Sequence, residues 1–298
     1  MPEAAQLALP TIQDFLADLA DLCRAALTAE GFTFVDPPIP FDLVTLWFAV
    51  KQRTIPPRPR VVHRSPELCA RALTPVQCLA LQTIEAESLA GLDLNPRRSR
   101  TQKKAGKHDP LLNDWRLHHL HLGARGNRAD GLADSGNELL FVVVAPEDLH
   151  FVDLLDHTVF NYADVALFEI VHRNWPRLLE QARVPGVTMN AEDRRTPESH
   201  AKLRRAGFVL PTRMQDGTVY IGDSAMSGAM PYTQELFYKA QRIHQWCQEN
   251  TDELLRLIEA DTGRRPHDLR EVHMRVGPRG SLFLVESTTG AEIALSVE

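Results

Sequence analysis

Apolar residues recur every three to four positions along several stretches of the chain, which is the spacing of an amphipathic α-helix. Residues 12–30 follow this spacing, and Gly31 predicts the end of the helix. The short apolar segment Phe41–Lys51 favours a helix over a strand. Pro75–Ala90 predicts a further helix with proline in its first turn. Between the first two helices, Phe32–Val35 predicts a short strand.

The middle of the chain changes to a pattern typical of β-strands. Leu139–Ala145 is rich in β-branched residues, and Leu149–Leu155 alternates between apolar and polar positions. Pro146-Glu-Asp148 between them is a turn-forming sequence, so the two runs predict a β-hairpin. Asp164 then predicts the N-cap of a helix that begins at Val165.

The C-terminal third predicts a small unit of helix and strands. Thr218–Ile221 has the pattern of a strand, and Thr233–Ala260 predicts one long helix. Three further segments predict strands joined by glycine-containing turns: Arg270–Val276, Leu282–Glu286 and Glu292–Val297.

These elements together predict an α+β protein. It would have N-terminal helices, a central antiparallel sheet carrying a histidine-rich strand, and a C-terminal helix with antiparallel strands. The shifts in pattern divide the chain into a mainly helical region 1–96, a histidine-rich core 97–185 and a C-terminal unit 186–298.

Composition supports a folded protein without a membrane partner. The 298 residues are 44% hydrophobic, which is enough apolar surface to exclude disorder as the main state. No apolar run reaches the roughly 18 residues of a membrane-spanning helix, and the N-terminus lacks a secretory pattern. We therefore expect a cytoplasmic location. The four cysteines form no Cys-x-x-Cys motif, which argues against a zinc knuckle or a disulfide scaffold.

The positive charge is concentrated in one segment. The chain has a formal net charge of −6, yet residues 97–128 contain nine Lys or Arg and two Asp or Glu. Such a segment is either a solvated loop or a strip that contacts phosphates. The second interpretation predicts that nucleic-acid backbone is contacted by Arg97, Arg98, Arg100, Lys103, Lys104 and Lys107.

Three histidines follow this basic segment closely, at His118, His119 and His121. Side chains alternate faces along a strand, so His119 and His121 would share one face and His118 would take the other. The two rings on one face would lie roughly 6.5–7 Å apart along the strand. That spacing suits a metal site completed by another strand, or a general acid and base on either side of a phosphodiester. A structural cluster without chemistry is the third interpretation.

The basic segment favours phosphodiester chemistry without a metal or other cofactor. In RNA the 2′-hydroxyl group is the nucleophile, so a base, an acid and a cation near the phosphate are sufficient. His119 and His121 are the candidate acid and base.

The segment from residue 115 to residue 160 resembles the core of RelE-like endoribonuclease toxins. The resemblance lies in His-Leu-His-Leu-Gly123, a loop with Arg125 and Arg128, the run Leu-Leu-Phe-Val-Val-Val, and His-Phe-Val-Asp-Leu-Leu-Asp-His157. It implies an antiparallel core and metal-independent cleavage of RNA. On this basis His157 would be a third polar group across the sheet, and Arg125 or Arg128 would stabilise the phosphate. The family's short basic tail is replaced here by Thr158-Val-Phe-Asn-Tyr-Ala and an acidic helix.

We therefore predict a metal-independent endoribonuclease of toxin or defence type, with RNA as its partner and a protein inhibitor as a further candidate partner. Two alternatives stay open. One is a non-enzymatic binding or regulatory protein with a structural histidine cluster, and the other is a metal-dependent hydrolase.

Overall fold

A computed structural model describes residues 12–107, 109–125, 131–134, 136–156, 165–187, 189, 202, 211–221, 241–242, 244–263, 272–276, 282–286 and 290–295. The helices are α1 (Ile12–Ala29), α2 (Pro40–Arg53), α3 (Pro66–Cys69), α4 (Pro75–Leu89), α5 (Pro110–Trp115), α6 (Ala166–Asn174) and α7 (Thr251–Thr262). Short 3-10 helices span Asn95–Arg97, Arg100–Lys103 and Pro176–Ala182. The strands are β1 (Val61–Arg64), β2 (Leu117–His121), β3 (Glu138–Val144), β4 (Asp148–Asp156), β5 (Pro211–Arg213), β6 (Val219–Ile221), β7 (Val272–Val276), β8 (Leu282–Glu286) and β9 (Glu292–Leu295).

This combination of helices with mixed and antiparallel sheets confirms the α+β class. The chain divides into one compact unit of residues 1–49 with 229–298 and a second unit of residues 50–228. The domain boundaries predicted after residues 96 and 185 both fall inside the second unit. They do so because β1, which lies before residue 97, pairs with β4 of the same sheet.

In the first unit, α1 packs against β7, and β7, β8 and β9 form an antiparallel sheet in that order. The predicted first helix is confirmed. It ends at Ala29, and Gly31 turns the chain away with a φ of 72°, in the left-handed region that glycine adopts readily. The N–H of Phe32 donates to the carbonyl of Leu27, and the segment Phe32–Val35 forms a single β-bridge at Thr33 in place of the predicted strand.

Capping residues account for the boundaries of the helices in the second unit. Thr74 and Gln77 form a reciprocal capping box at the start of α4, which confirms the helix predicted there. The helix predicted from Val165 is confirmed as α6, although Asp164 lies outside the described residues. The long helix predicted over Thr233–Ala260 is interrupted at Asn250, which is the N-cap of α7.

The second unit is built on a four-stranded sheet in the order β1-β4-β3-β2. The predicted hairpin is confirmed, since β3 and β4 pair antiparallel with a bulge between Phe141 and Val142. The predicted antiparallel sheet needs one correction: β1 runs parallel to β4, so the sheet is mixed. A separate two-stranded sheet pairs β5 with β6.

Both faces of the four-stranded sheet are buried. On one face, Phe141 and Val143 pack with α5 and α6 through Trp115 and Phe168. On the other face, Leu120, Leu140 and Phe151 pack with α4 and the segment before it, a cluster that includes Leu81 and Ile84. In the part of the chain that the structure describes, no helix is long and apolar enough to cross a membrane.

Candidate active site at the edge of β2

The histidine-rich strand β2 is an edge strand of the sheet, and α5 delivers the chain to it. Asp109 caps α5, its carboxylate accepting a hydrogen bond from the N–H of Leu112 at 3.2 Å. Arg116 ends α5 in the left-handed conformation, with φ of 55°, and the strand begins at the next residue. This tight connection places Asp109 beside the first half of β2.

The register confirms the predicted alternation of the histidines. His119 and His121 pair with Phe141 and Leu139, which belong to the core face covered by α5 and α6. His118 pairs with Val142, which belongs to the opposite face.

A narrow crevice at the edge of β2 brings together part of the basic segment and two of the histidines. Its ionisable lining residues are Arg53, Arg98, Lys107, Asp109, His118 and His119. Ser99, Thr101 and Gln102 add hydroxyl and amide groups. The enclosed volume is about 20 Å³. A space of this size admits one water-sized group, such as a hydroxyl or one oxygen of a phosphate. We call it the β2-edge crevice.

The charge of the β2-edge crevice is positive. Three cations and one carboxylate line it, and burial lowers the pKa of Arg98 to about 10, helped by the nearby charge of Arg53. The Arg98 guanidinium donates to the side-chain oxygen of Asn95 at 3.1 Å. A guanidinium with this pKa is still charged at neutral pH. An anion entering the crevice would offset the cost of burying the Arg98 charge.

Arg53, at the end of α2, shapes the wall of the crevice. It is 3% exposed and donates to the backbone carbonyls of Lys104 at 3.3 Å, Lys107 at 2.6 Å and Ala105. These bonds hold the turn that carries the lysines. Sequence reasoning missed Arg53, because nothing in its local pattern connects it to a segment about fifty residues later.

The two histidines in the crevice have different surroundings. Burial lowers the pKa of His118 well below its usual value, and the charges of Arg98, His119 and Arg60 lower it further. His118 is therefore neutral at pH 7. His119 Nδ1 lies 3.7 Å from a carboxylate oxygen of Asp109, within ion-pair distance. The sequence prediction paired His119 with His121, whereas the crevice contains His119 with His118.

One of the predicted phosphate-binding residues instead holds the fold together. Arg97 is 2% exposed and makes a bidentate ion pair with Glu87 of α4, at 2.6 and 2.9 Å. Its remaining nitrogen donates to the carbonyls of His121 and Gly123 at the end of β2. Arg125 lies 3.5 Å from the same Glu87. The prediction that Arg97 contacts nucleic acid is corrected, because its guanidinium is buried and its donors are used internally.

The other predicted residues are distributed as follows. Lys103 and Lys104 are exposed beside the crevice, and Arg100 begins the 3-10 helix before them. His121 is 9% exposed and does not line the crevice. His157 and Arg128 lie outside the described residues.

A second, larger pocket of about 530 Å³ lies between α6, the 3-10 helix after it and the β5–β6 hairpin. His172 lines it, with Nδ1 2.9 Å from the hydroxyl of Tyr220 and Nε2 3.0 Å from a carboxylate oxygen of Asp216. Sequence reasoning did not connect these three residues, because they meet only through the packing of α6 on the hairpin. Across the described residues, no three His, Cys, Asp or Glu side chains are grouped to hold a metal ion.

Comparisons with protein-family models, curated proteins and solved structures find no match to this chain. The resemblance to RelE-like toxins therefore stays a prediction from the sequence.

Proposed function

We propose that the protein is a metal-independent endoribonuclease whose active site is the β2-edge crevice. The observation that supports this most is the meeting of Arg98, Lys107, His118 and His119 in one crevice, whose volume admits one oxygen of a phosphate. A basic segment that was only a solvated loop or an internal ion-pair network would not need its cations beside histidines.

The positive charge of the crevice provides the phosphate contact. Arg98 presents a partly buried guanidinium, and Lys107 is exposed at the mouth. Charge-assisted hydrogen bonds from these groups to a phosphate would be stronger than neutral ones, and that of Arg98 would be strengthened further because its guanidinium is partly buried. They would stabilise the extra negative charge that develops on phosphorus during the reaction.

The two histidines differ in the way that an acid–base pair requires. His118 is neutral at pH 7 and can accept the proton of the 2′-hydroxyl group as its oxygen attacks phosphorus. His119, whose Nδ1 lies 3.7 Å from a carboxylate oxygen of Asp109, would be the acid that donates a proton to the departing 5′-oxygen as the P–O bond breaks. The products are a 2′,3′-cyclic phosphate and a 5′-hydroxyl end, so protons and charge balance without water or metal.

The test is cleavage of a short single-stranded RNA in excess EDTA, with analysis of the product ends. We expect cleavage to a cyclic phosphate, no cleavage where one 2′-deoxynucleotide replaces the reacting ribose, and weaker binding with rising salt. Lys107→Gln is expected to reduce the salt dependence of binding by about one counterion, while Arg177→Gln, at an exposed position that does not line the crevice, is expected to leave it unchanged. Intact RNA in the presence of folded protein would contradict the proposal.

A further inference from the structure

Toward the opposite edge of the same sheet, three rings lie in a row, and two of them are stacked. His63 of β1 and His150 of β4 are directly paired in the register, with ring centroids 5.0 Å apart and planes inclined by 20°. Trp175, at the end of α6, lies 4.7 Å from the His150 ring. His150 is 7% exposed, and its Nδ1 has no hydrogen-bond partner among the described residues. The two histidine rings are therefore stacked, and the Trp175 ring contacts His150 at an inclination of 57°.

The row ends at an open position. Across the sheet, the row runs from Leu117 through Val143 and His150 to His63. Since β1 is the edge strand, no described strand lies beyond His63, and 43% of its side chain is exposed. Val61, two residues earlier on the same face, is 54% exposed and extends the apolar surface.

A carboxylate fixes the outer ring of this row. Asp148 lies 2.7 Å from Nε2 of His63 and is itself 42% exposed. Because the ring is already oriented, a planar group that stacks on it loses little of its binding energy to ordering the side chain. The exposed part of the same carboxylate can accept a hydrogen bond from an amino group at the edge of that planar group.

We propose that His63 is a stacking platform for an unpaired nucleobase of RNA, with Asp148 selecting bases that carry an exocyclic amino group. This inference rests on the proposed function, which makes single-stranded RNA the substrate. Stacking of bases on histidine rings is one of the ordinary modes of single-strand recognition. The acidic neighbour favours a base over a phosphate at this position, because a carboxylate repels phosphate and accepts from amino groups. Adenine, cytosine and guanine are then preferred over uracil.

The first experiment uses nucleosides, which carry no phosphate and so do not depend on the β2-edge crevice. Adding adenosine, cytidine or guanosine to the full chain is expected to shift the NMR signal of a carbon-bound proton on the His63 ring. Uridine is expected to shift the same signal less. His273 is the matched control, since it is also half-exposed and lies 3.0 Å from a carboxylate, that of Asp18, while no ring of the described residues is stacked on it. A His63 signal that no nucleoside moves would overturn the inference.

The second experiment measures the affinity for a short oligonucleotide made uncleavable by 2′-deoxy substitution. His63→Ala is expected to weaken binding by about 5- to 150-fold, the equivalent of the 1–3 kcal/mol of one stacked base. His273→Ala is expected to leave it unchanged, and Asp148→Asn is expected to remove the preference over uracil. Equal affinity of wild type and His63→Ala would refute the platform.

The failure of this inference is distinct from failure of the proposed function. Nucleoside binding at His63 with no RNA cleavage would overturn the endoribonuclease proposal and leave the platform standing. RNA cleavage with a His63 ring that responds to an extended peptide and to no nucleoside would assign the β1 edge to a protein partner and overturn the platform.

Discussion

Replacing Gly123 with alanine is expected to destabilise the end of β2 substantially. The Cβ atom of an alanine at this position would lie 2.0 Å from the carbonyl oxygen of Asp134, and 2.7 and 2.8 Å from its carbonyl carbon and Cβ. Ordinary contacts begin at 3.4 Å, so the opposing backbone has to move by about 1.4 Å (3.4 − 2.0). Backbone cannot rotate away as a long side chain can.

Two hydrogen bonds fix the segment that would have to move. The N–H of Asp134 donates to the carbonyl of Ala124 at 3.0 Å, and the N–H of Ala133 donates to the carbonyl of Pro96 at 2.8 Å. Overpacking costs about 1–3 kcal/mol, and each hydrogen bond contributes about 0.5–1.5 kcal/mol. The expected loss in the free energy of unfolding is therefore about 2–6 kcal/mol.

The assay is urea denaturation followed by circular dichroism, combined with hydrogen exchange of the β2 and β3 amides. Gly106→Ala is the matched control, because a Cβ there meets nothing within 4 Å, and we expect it to change stability by at most about 1 kcal/mol. Equal unfolding midpoints and equal exchange protection for the two variants would refute the packing described for Gly123.

Two further predictions concern the charged groups around the site. Arg97→Ala is expected to lower the free energy of unfolding by about 3–5 kcal/mol, because it leaves the carboxylate of Glu87 without its main partner. In the same denaturation assay, Lys103→Ala at an exposed position is expected to change the free energy of unfolding by less than about 0.5 kcal/mol. The pKa of His118 is lower in the folded protein than its ordinary 6.5, so the unfolded chain binds this proton first as the pH falls. The stability contributed by the neutral His118 ring is then full above about pH 6.5 and falls by up to about 1.4 kcal/mol per pH unit below it. We expect His118→Asn to flatten this pH dependence. An unchanged slope of stability against pH in this variant would contradict the burial of a neutral ring.

Local pattern predicted most of the helices and strands near the site. The turn chemistry of Pro146-Glu-Asp148 and the alternation of the runs on either side predict the β3–β4 hairpin, because both signals lie within a few residues of the contacts they create. The alternation of His118 and His119 between faces follows from strand geometry alone. The parallel strand β1 was missed, since four residues after a proline-rich stretch give no local signal of a partner about ninety residues later.

The composition of the site was predicted only in part. The basic segment and the histidines were recognised, but their roles depend on tertiary contacts. Arg97 and Arg98 are neighbours in the sequence, but their side chains have different partners. Arg97 makes the buried ion pair with Glu87, whereas Arg98 lines the crevice. Arg53 and Asp109 enter the crevice from α2 and from the cap of α5, and no spacing rule connects these positions to β2.

The most direct test of the β2-edge crevice is the rate of RNA cleavage in excess EDTA by His119→Gln and by His121→Gln. The two residues lie on one face of the same strand, two positions apart, but only His119 lines the crevice. With both variants shown to be folded by circular dichroism, we expect His119→Gln to lose at least about 100-fold in rate, as for the removal of a general acid. His121→Gln is expected to cleave at close to the wild-type rate. Equal rates for the two variants, or a loss confined to His121→Gln, would contradict the assignment of the active site to this crevice.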